Sequence, residues 1–236
     1  MSSFLRVSLL TLFFLLLIPA GALCQNLQLY TEDYSPYNYE QDGEVRGVNT
    51  DLLLRATEKA GLDIAREDIR LVPWARAYSA ARNNPNTCVY TTMRTREREP
   101  FFKWVGPLVN TEKVLVALRD REVEINSLQD IENYRTGVVI EDVCVHLLSE
   151  SGVPEENIDK SASALLNLRK LVRGRIDLVA YDELTLEYIA KKNNIDPSLF
   201  ETVFVLGRGD HYLACHPETN ATVLDRLQNA LDELSR

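Results

Sequence analysis

The sequence has little of what several common kinds of function require. It carries 26 Lys and Arg residues against 35 Asp and Glu residues, a formal net charge of −9. It therefore lacks the positive excess with which proteins bind nucleic acids or anionic membranes. It has only 4 cysteines and 3 histidines, no Cys-x-x-Cys pair, and no histidine spacing typical of a metal site. It also has no recognisable Ser-His-Asp or Cys-His arrangement and no phosphate-binding loop. We expect no cofactor, no metal and no nucleic-acid partner.

Long apolar runs are also absent, except at the N-terminus. Arg6 is followed by the twelve uncharged residues VSLLTLFFLLLI, a proline and the small-residue segment AGALC. This order is typical of a secretory signal peptide, and the run is shorter than the roughly 20 residues of a membrane-spanning helix. Residues 1–24 are predicted to be a signal peptide that is cleaved after Ala22 or Cys24. Lipid attachment at Cys24 is the alternative, and the large Leu23 before it disfavours that reading.

The few cysteines are candidates for disulfide bonds, because an exported protein folds in an oxidising compartment. If cleavage follows Cys24, three cysteines remain, an odd number for an oxidising compartment. One disulfide and one buried thiol are expected among Cys88, Cys144 and Cys215. Removal of residues 1–24 would also remove one arginine and no acid, which makes the mature chain slightly more acidic.

The rest of the chain alternates short apolar strands with helices of about 10–15 residues. The strand segments include LQLYT, IRLVPW, TCVYTT, TGVVI, RIDLVAY and HYLACH. This alternation predicts an α/β fold with parallel sheets, in two units joined near residues 105–112. No internal repeat, low-complexity tract or Gly/Ser-rich linker is present. In this architecture a ligand binds in the crevice between the units, at the carboxyl ends of the strands.

Three arginines lie just past the end of the third strand, in the segment TTMRTRERE. Arg98 is the candidate that reaches the crevice, where a guanidinium can hold a carboxylate through two parallel hydrogen bonds. Arg96 is expected to be solvated, and Arg94 stays open between the two roles. The alternative for all three is a surface charge run that pairs with the neighbouring glutamates.

Other candidates follow the strands of both units. Asp182 comes after RIDLVAY, so its carboxylate can receive a ligand ammonium, cap the helix ELTLEYIAKK, or do both. Tyr34 in the first loop and Trp74 after the second strand can supply aromatic walls for a ligand. Both aromatic residues can equally belong to the core.

Four motifs, in order, resemble the family 3 extracellular solute-binding proteins, which serve bacterial ABC importers of polar amino acids. GVNTDLLLRATEKAG is similar to their Gly-x-x-x-Asp-Leu helix, and TREREPFF to their Thr-x-x-Arg signature followed by an aromatic residue. INSLQDIENYRTGVV resembles the start of their second lobe, and LVRGRIDLVAYD their Gly-Arg-x-Asp-x-x-x-x-Asp segment. The motifs cover nearly all of the mature chain.

The resemblance implies a type II periplasmic binding protein fold. This is a two-lobed α/β fold in which each lobe is a mostly parallel sheet flanked by helices, with the ligand crevice between the lobes. Lobe 1 would comprise residues 25–108 and 210–236, and lobe 2 residues 109–209. The strands TCVYTT and HYLACH would be neighbours in lobe 1, which makes Cys88–Cys215 the preferred disulfide.

The resemblance also assigns roles in ligand binding. Arg98 would hold the ligand carboxylate and Asp182 its α-ammonium, while Tyr34 would cover the ligand. The backbone of Thr91 would contribute, and Thr95 begins the arginine signature.

The sequence departs from the family at the site. Met93 replaces a small hydroxyl residue, and Glu141 and Asp142 replace a glycine and a threonine after the strand TGVVI. The two acids would weaken an anion site there, and they indicate a cationic or amino-rich ligand end. Glu141 is therefore included among the ligand-binding candidates.

The leading interpretation is a monomeric periplasmic protein that binds a small polar ligand, an amino acid or related zwitterion, for an ABC transporter permease. One alternative is a periplasmic enzyme, because a few relatives are dehydratases of small cyclic carboxylates; Glu141 or Asp182 would then be the general acid. A second alternative is a ligand sensor that works without a transporter.

Overall fold

The computed structural model describes residues 27–235, which form a mixed α/β protein. Within this range the strands are β1 (Gln28–Thr31), β2 (Tyr39–Gln41), β3 (Glu44–Arg46), β4 (Arg70–Leu71), β5 (Thr87–Met93), β6 (Lys103–Leu118), β7 (Thr136–Val139), β8 (Ile158–Ser161), β9 (Leu178–Tyr181) and β10 (Phe200–Cys215). The α-helices are α1 (Val48–Lys59), α2 (Trp74–Asn83), α3 (Val143–Glu150), α4 (Ala164–Val172), α5 (Glu183–Lys192) and α6 (Ala221–Leu234). The predicted signal peptide and its cleavage sites lie outside the described residues.

Eight of these strands form one sheet in the order β4-β1-β5-β10-β6-β9-β7-β8. The three strands at each end are parallel to one another. The central strands β10 and β6 are antiparallel to each other and to their outer neighbours. Each half of the sheet is therefore mostly parallel, as the alternation of strands and helices predicted. The remaining strands, β2 and β3, form a separate two-stranded hairpin.

The central strands β6 and β10 connect the two halves. Each is 16 residues long, and they pair along their lengths with three shifts of register. β10 also pairs with β5 in the first half, and β6 pairs with β9 in the second. The chain thus crosses between the halves in both directions within one pair of strands. The predicted lobe limits, at residues 108–109 and 209–210, fall inside these two strands. These limits stay a prediction.

The carboxyl ends of the parallel strands meet between the two halves. β1 leads into Glu32, β7 leads into Ile140–Asp142, and β9 leads into Asp182. The rings of Tyr34 and Tyr181, one from each half, contact edge to face with centroids 5.5 Å apart. The predicted crevice is thus at the junction of the two halves, and side chains of both halves share one buried cluster there.

The helices that begin at this junction are capped by acidic side chains. Asp142 Oδ1 accepts a hydrogen bond of 2.8 Å from the Cys144 amide at the start of α3. Asp182 Oδ1 accepts one of 3.0 Å from the Thr185 amide at the start of α5. Such caps satisfy amide groups that have no partner within the helix. Within residues 27–235, no helix is both long and apolar enough to span a bilayer.

The cysteines follow the predicted division into one disulfide and one thiol. Cys88 on β5 lies opposite Cys215 on β10, and the two form a disulfide. Cys144 on α3 is free and fully buried. The disulfide ties two strands that are 127 positions apart in the chain, so it closes most of the described protein into one loop.

Reduction of the disulfide should lower stability strongly, because it releases this long loop in the unfolded chain. A native disulfide typically contributes about 2–4 kcal/mol, which for a chain of this size corresponds to a Tm lower by about 5–15 °C. Thermal unfolding followed by circular dichroism, with and without a reductant, measures the effect. Cys144→Ala keeps the disulfide, so the reductant should lower the Tm of this variant by the same amount. An equal Tm with and without the reductant would contradict the assignment of the disulfide.

Candidate ligand site between the two halves

The two halves enclose a small polar cavity at the ends of the strands. Its volume is about 10 Å³, which is room for about one water molecule. It contains two cationic and two carboxylic side chains, and the other lining side chains are a threonine, a histidine and aromatic or apolar groups. The lining residues are Glu32, Tyr34, Trp74, Thr91, Met93, Arg98, Lys113, Asp142, Val143 and His211. In the described part of the chain, no three His, Cys, Asp or Glu side chains are arranged to hold a metal ion.

A wider opening of about 220 Å³ adjoins this cavity. Arg98, Asp142 and Val143 line both spaces, and Tyr78 and Glu141 line the outer one. The two spaces are therefore the inner and outer parts of one cleft. We call them the inner cavity and the outer opening.

Arg98 spans the cleft. The residue is 6% exposed. Its guanidinium donates one hydrogen bond to the Met93 carbonyl in its own half (3.2 Å) and one to the Glu141 carbonyl in the other half (2.8 Å). It also lies over the rings of Trp74 and Tyr78, 5.5 and 5.2 Å from their centroids. A guanidinium carries five N–H donors, so this one has donors beyond the two carbonyl contacts.

The neighbours of Arg98 in the signature have other roles. The Thr95 hydroxyl accepts a hydrogen bond from the Arg98 amide (3.2 Å), so Thr95 shapes the turn and is outside the lining of the cleft. Arg94 pairs with Glu99 through two hydrogen bonds of 2.7 and 2.5 Å, in an exposed position away from the cleft. Glu141 lines the outer opening, but its side chain is exposed and its carbonyl is the group that meets Arg98.

Thr91 lines the inner cavity in a strained backbone conformation. Its φ angle is +59°, which is rare for a β-branched residue. Its hydroxyl donates to Asn38 Oδ1 (2.5 Å) and accepts from Asn49 Nδ2 (3.0 Å). The first loop and helix α1 therefore hold this irregular position near the end of β5. Gly47 permits the close approach of the loop, since a Cβ there would lie 2.3 Å from the Tyr37 carbonyl oxygen.

Lys113 is the main site residue that the sequence analysis missed. It lies in the middle of β6 and is 2% exposed. Its ammonium donates a 2.8 Å hydrogen bond to the Tyr34 hydroxyl and lies 4.7 and 4.9 Å from the ring centroids of Tyr34 and Tyr181. Burial lowers the pKa of Lys113, but the acidic groups around it, Tyr34 and Asp142 first, raise it above its usual value. The side chain therefore stays charged near neutral pH.

Glu32 is the acidic counterpart that the sequence analysis also missed. Burial, together with the charge of Asp142, raises the pKa of Glu32 to about 8, although the cation of Lys113 opposes this. Tyr181 from the other half donates a 3.4 Å hydrogen bond to its carboxyl group. Glu32 is therefore mostly protonated at neutral pH. Its position directly after an apolar strand, as for Asp182, was the signal that could have identified it.

Two buried polar atoms of the lining residues lack a partner. His211 Nδ1 and Trp74 Nε1 make no hydrogen bond to any described residue. Burial lowers the pKa of His211 well below its usual value, and the cations of Lys113 and Arg98 lower it further, although the backbone of Gly209 and Val109 opposes this. The imidazole is therefore neutral. Since buried polar groups are nearly always hydrogen-bonded, these two atoms are suited to contact a bound solute.

Asp182 lies beside the cleft but is outside its lining. It is 4% exposed, and its Oδ1 accepts from both the amide and the hydroxyl of Thr185, each at 3.0 Å. The capping role is therefore visible in the structure. The carboxylate also raises the pKa of Lys113, so its charge acts on the cleft.

The family model for bacterial extracellular solute-binding proteins, family 3, matches residues 28–236. The chain belongs to this family. The match includes both halves of the sheet and every candidate residue named above. A comparison with curated proteins found no significant match.

Solved structures show the same fold as this family 3 solute-binding protein. A histidine kinase sensor domain with similarity to periplasmic binding proteins superposes with a TM-score of 0.76 at 19% identity, covering 88% of this chain and 89% of that one. The arginine-, lysine-, histidine-binding protein ArtJ from Geobacillus stearothermophilus gives 0.75 at 16% identity, with 88% of each chain covered. Holo ArgBP from T. maritima gives 0.74 at 17% identity, with 90% and 92% covered. The predicted two-lobed fold is confirmed, and the two halves are its lobes.

The raised pKa of Glu32 predicts a pH-dependent stability. Between pH 4.5, the usual value for a glutamate, and about 8, the folded protein keeps a proton that the unfolded chain releases. Stability should therefore fall as the pH rises through this range. Each pKa unit corresponds to about 1.36 kcal/mol, so we expect a loss of more than about 1 kcal/mol between pH 5 and pH 8.

Urea unfolding of wild type and Glu32→Gln at both pH values measures this loss. The neutral amide should remove the part of the pH dependence that Glu32 causes and make the variant the more stable protein at pH 8. Glu40→Gln, an exposed change on the following segment, is the control and should follow wild type. If the free energy of unfolding changed equally between pH 5 and pH 8 in wild type and Glu32→Gln, the raised pKa of Glu32 would be contradicted.

Proposed function

We propose that this family 3 protein captures a small carboxylate-bearing solute in the cleft between its lobes and presents it to the permease of an ABC importer. The position of Arg98 carries the proposal. Its guanidinium is buried, stacked on aromatic rings, and lines both parts of the cleft. A guanidinium in such a site can hold a carboxylate through two parallel hydrogen bonds.

Amino acids and related zwitterions are the first solutes to consider. The resemblance implies this class, and among the structural relatives ArtJ is an arginine-, lysine-, histidine-binding protein. Asp182 would face the ammonium end, because its charge acts on the cleft. Thr91 and Tyr34, which line the inner cavity, would complete the contacts.

Solute entry requires the lobes to separate. The inner cavity of about 10 Å³ is far smaller than the roughly 300–1,000 Å³ of ordinary ligand pockets. Contacts across the cleft join Arg98 to the Glu141 carbonyl, Thr185 to the Ser35 carbonyl (2.7 Å), and Tyr181 to Glu32. Opening would break these contacts while β6 and β10 act as the hinge. A solute that binds better to the closed form shifts the population toward it.

A transporter-independent sensor is the second candidate function. The likeness to a histidine kinase sensor domain supports it, because the closed form of one fold can be read by a permease or by a signalling partner. The enzyme alternative has less support. The Glu141 side chain is exposed, and Asp182 Oδ1 is held by Thr185, so neither group is arranged as a general acid toward the inner cavity.

Thermal unfolding of the exported protein against amino acids, polyamines and small carboxylates tests the proposal. A carboxylate solute at about 100 times its Kd should add about 2.7 kcal/mol of stability. Arg98→Ala should weaken binding of that solute by roughly 10–150-fold, since hydrogen bonds to charged groups contribute about 1.5–3 kcal/mol. Arg96→Ala, an exposed arginine two positions away, is the matched control. Binding that survives Arg98→Ala, or no binding across the panel, would count against the proposal.

A further inference from the structure

We propose that the cleft is built for a small hydroxy- or oxo-carboxylate that carries no ammonium group, because Lys113 already fills the place where such a group would bind. This inference rests on the proposed function and narrows its solute class. It starts from the groups in the cleft that can attract a cation, and from what each of them already contacts.

The aromatic faces that could receive a cation are engaged by Lys113. Its ammonium lies less than 5 Å from the ring centroids of both Tyr34 and Tyr181, a distance at which a cation is attracted to a ring face. It also donates a hydrogen bond to the Tyr34 hydroxyl. Tyr34 lines the inner cavity, and Tyr181 of the other lobe packs against its ring, so the Lys113 ammonium occupies the aromatic position beside the cavity that a ligand amine would need.

The two ionised carboxylates near the cleft, Asp142 and Asp182, already bind groups of the protein. Asp142 caps α3 through the Cys144 amide, and Asp182 caps α5 through Thr185. The charges of both act on Lys113. A ligand ammonium would have to share these carboxylates with a buried like charge, which disfavours it strongly in a space of low dielectric constant.

The charge balance of the inner cavity favours one bound anion. Arg98 and Lys113 supply two positive charges. Asp142 supplies one negative charge, while Glu32 is mostly protonated near neutral pH because its pKa is raised to about 8. The lining side chains alone therefore have a surplus of one positive charge. Asp182, outside the lining, acts with Asp142 on Lys113, so Arg98 is the cation that remains for the carboxylate of a solute.

The unpartnered polar atoms indicate what else the solute carries. Trp74 Nε1 is a donor that needs an acceptor, and the neutral His211 offers Nδ1. A hydroxyl or oxo oxygen can accept from the Trp74 N–H, and a hydroxyl can also donate to an unprotonated ring nitrogen such as that of His211. An ammonium can only donate, so in an amino acid the carboxylate that Arg98 needs would also have to supply the acceptor for the Trp74 N–H.

Calorimetric titration of the wild-type protein with matched solutes tests the inference without any variant. Each amino acid is compared with the 2-hydroxy and 2-oxo acids that share its side chain, over small, acidic and aromatic side chains. At least one hydroxy or oxo acid should bind at least 10-fold more tightly than its amino acid. An amino acid that binds as tightly as its counterparts would overturn the inference and leave the proposed function standing. No binding by any carboxylate would overturn both.

Lys113→Met gives a second readout, because it keeps the length of the side chain and removes its charge. In this variant the preferred acid should bind at least 10-fold more weakly, and the ratio of amino-acid to hydroxy-acid affinity should rise. Lys103→Met is the matched control on the same strand, where the ammonium contacts the Thr219 carbonyl outside the cleft lining. A folded Lys113→Met variant with the wild-type preference would overturn the inference.

Discussion

The antiparallel pairing of β6 and β10 is the constraint on which the other features depend. These strands are the middle of the sheet, and each borders one lobe on its outer side. Their pairing sets the distance and angle between two parallel half-sheets whose carboxyl ends must face each other. Each lobe has a buried cluster on one face of the sheet, and a third cluster is shared by both lobes at their junction.

The cleft places charged groups where water is scarce, and the fold compensates for each of them. Arg98 is paired with two backbone carbonyls and two aromatic rings, and Lys113 with a hydroxyl and two rings. A buried charge without such partners would destabilise the protein by several kcal/mol. The Glu141 carbonyl reaches Arg98 from the opposite lobe, and the two rings beside Lys113 come one from each lobe. Both buried cations are therefore satisfied by groups of the two lobes together.

Much of the fold could be predicted from the sequence, because alternating apolar segments and helix caps are local signals. The parallel half-sheets and the position of the crevice follow from such signals, whereas the pairing of Cys88 with Cys215 was implied only by the resemblance to the family. Lys113 could not be found in this way. It sits in KVLVAL, a segment whose apolar character marks a buried strand but says nothing about a lysine at its start. The partners of that lysine, Tyr34 and Tyr181, lie far away in sequence.

The two acids after β7 have a different role in the structure from the one that the sequence indicated. From the sequence, Glu141 and Asp142 indicated a cationic end on the ligand. In the structure the Glu141 side chain is exposed, and the Asp142 charge acts on Lys113, a cation that belongs to the protein. The acid that appeared to select a positive ligand thus supports a positive residue in the cleft. Because the charge of Asp142 is already balanced, Arg98 is left as the cation that a solute must neutralise, and this favours an anion.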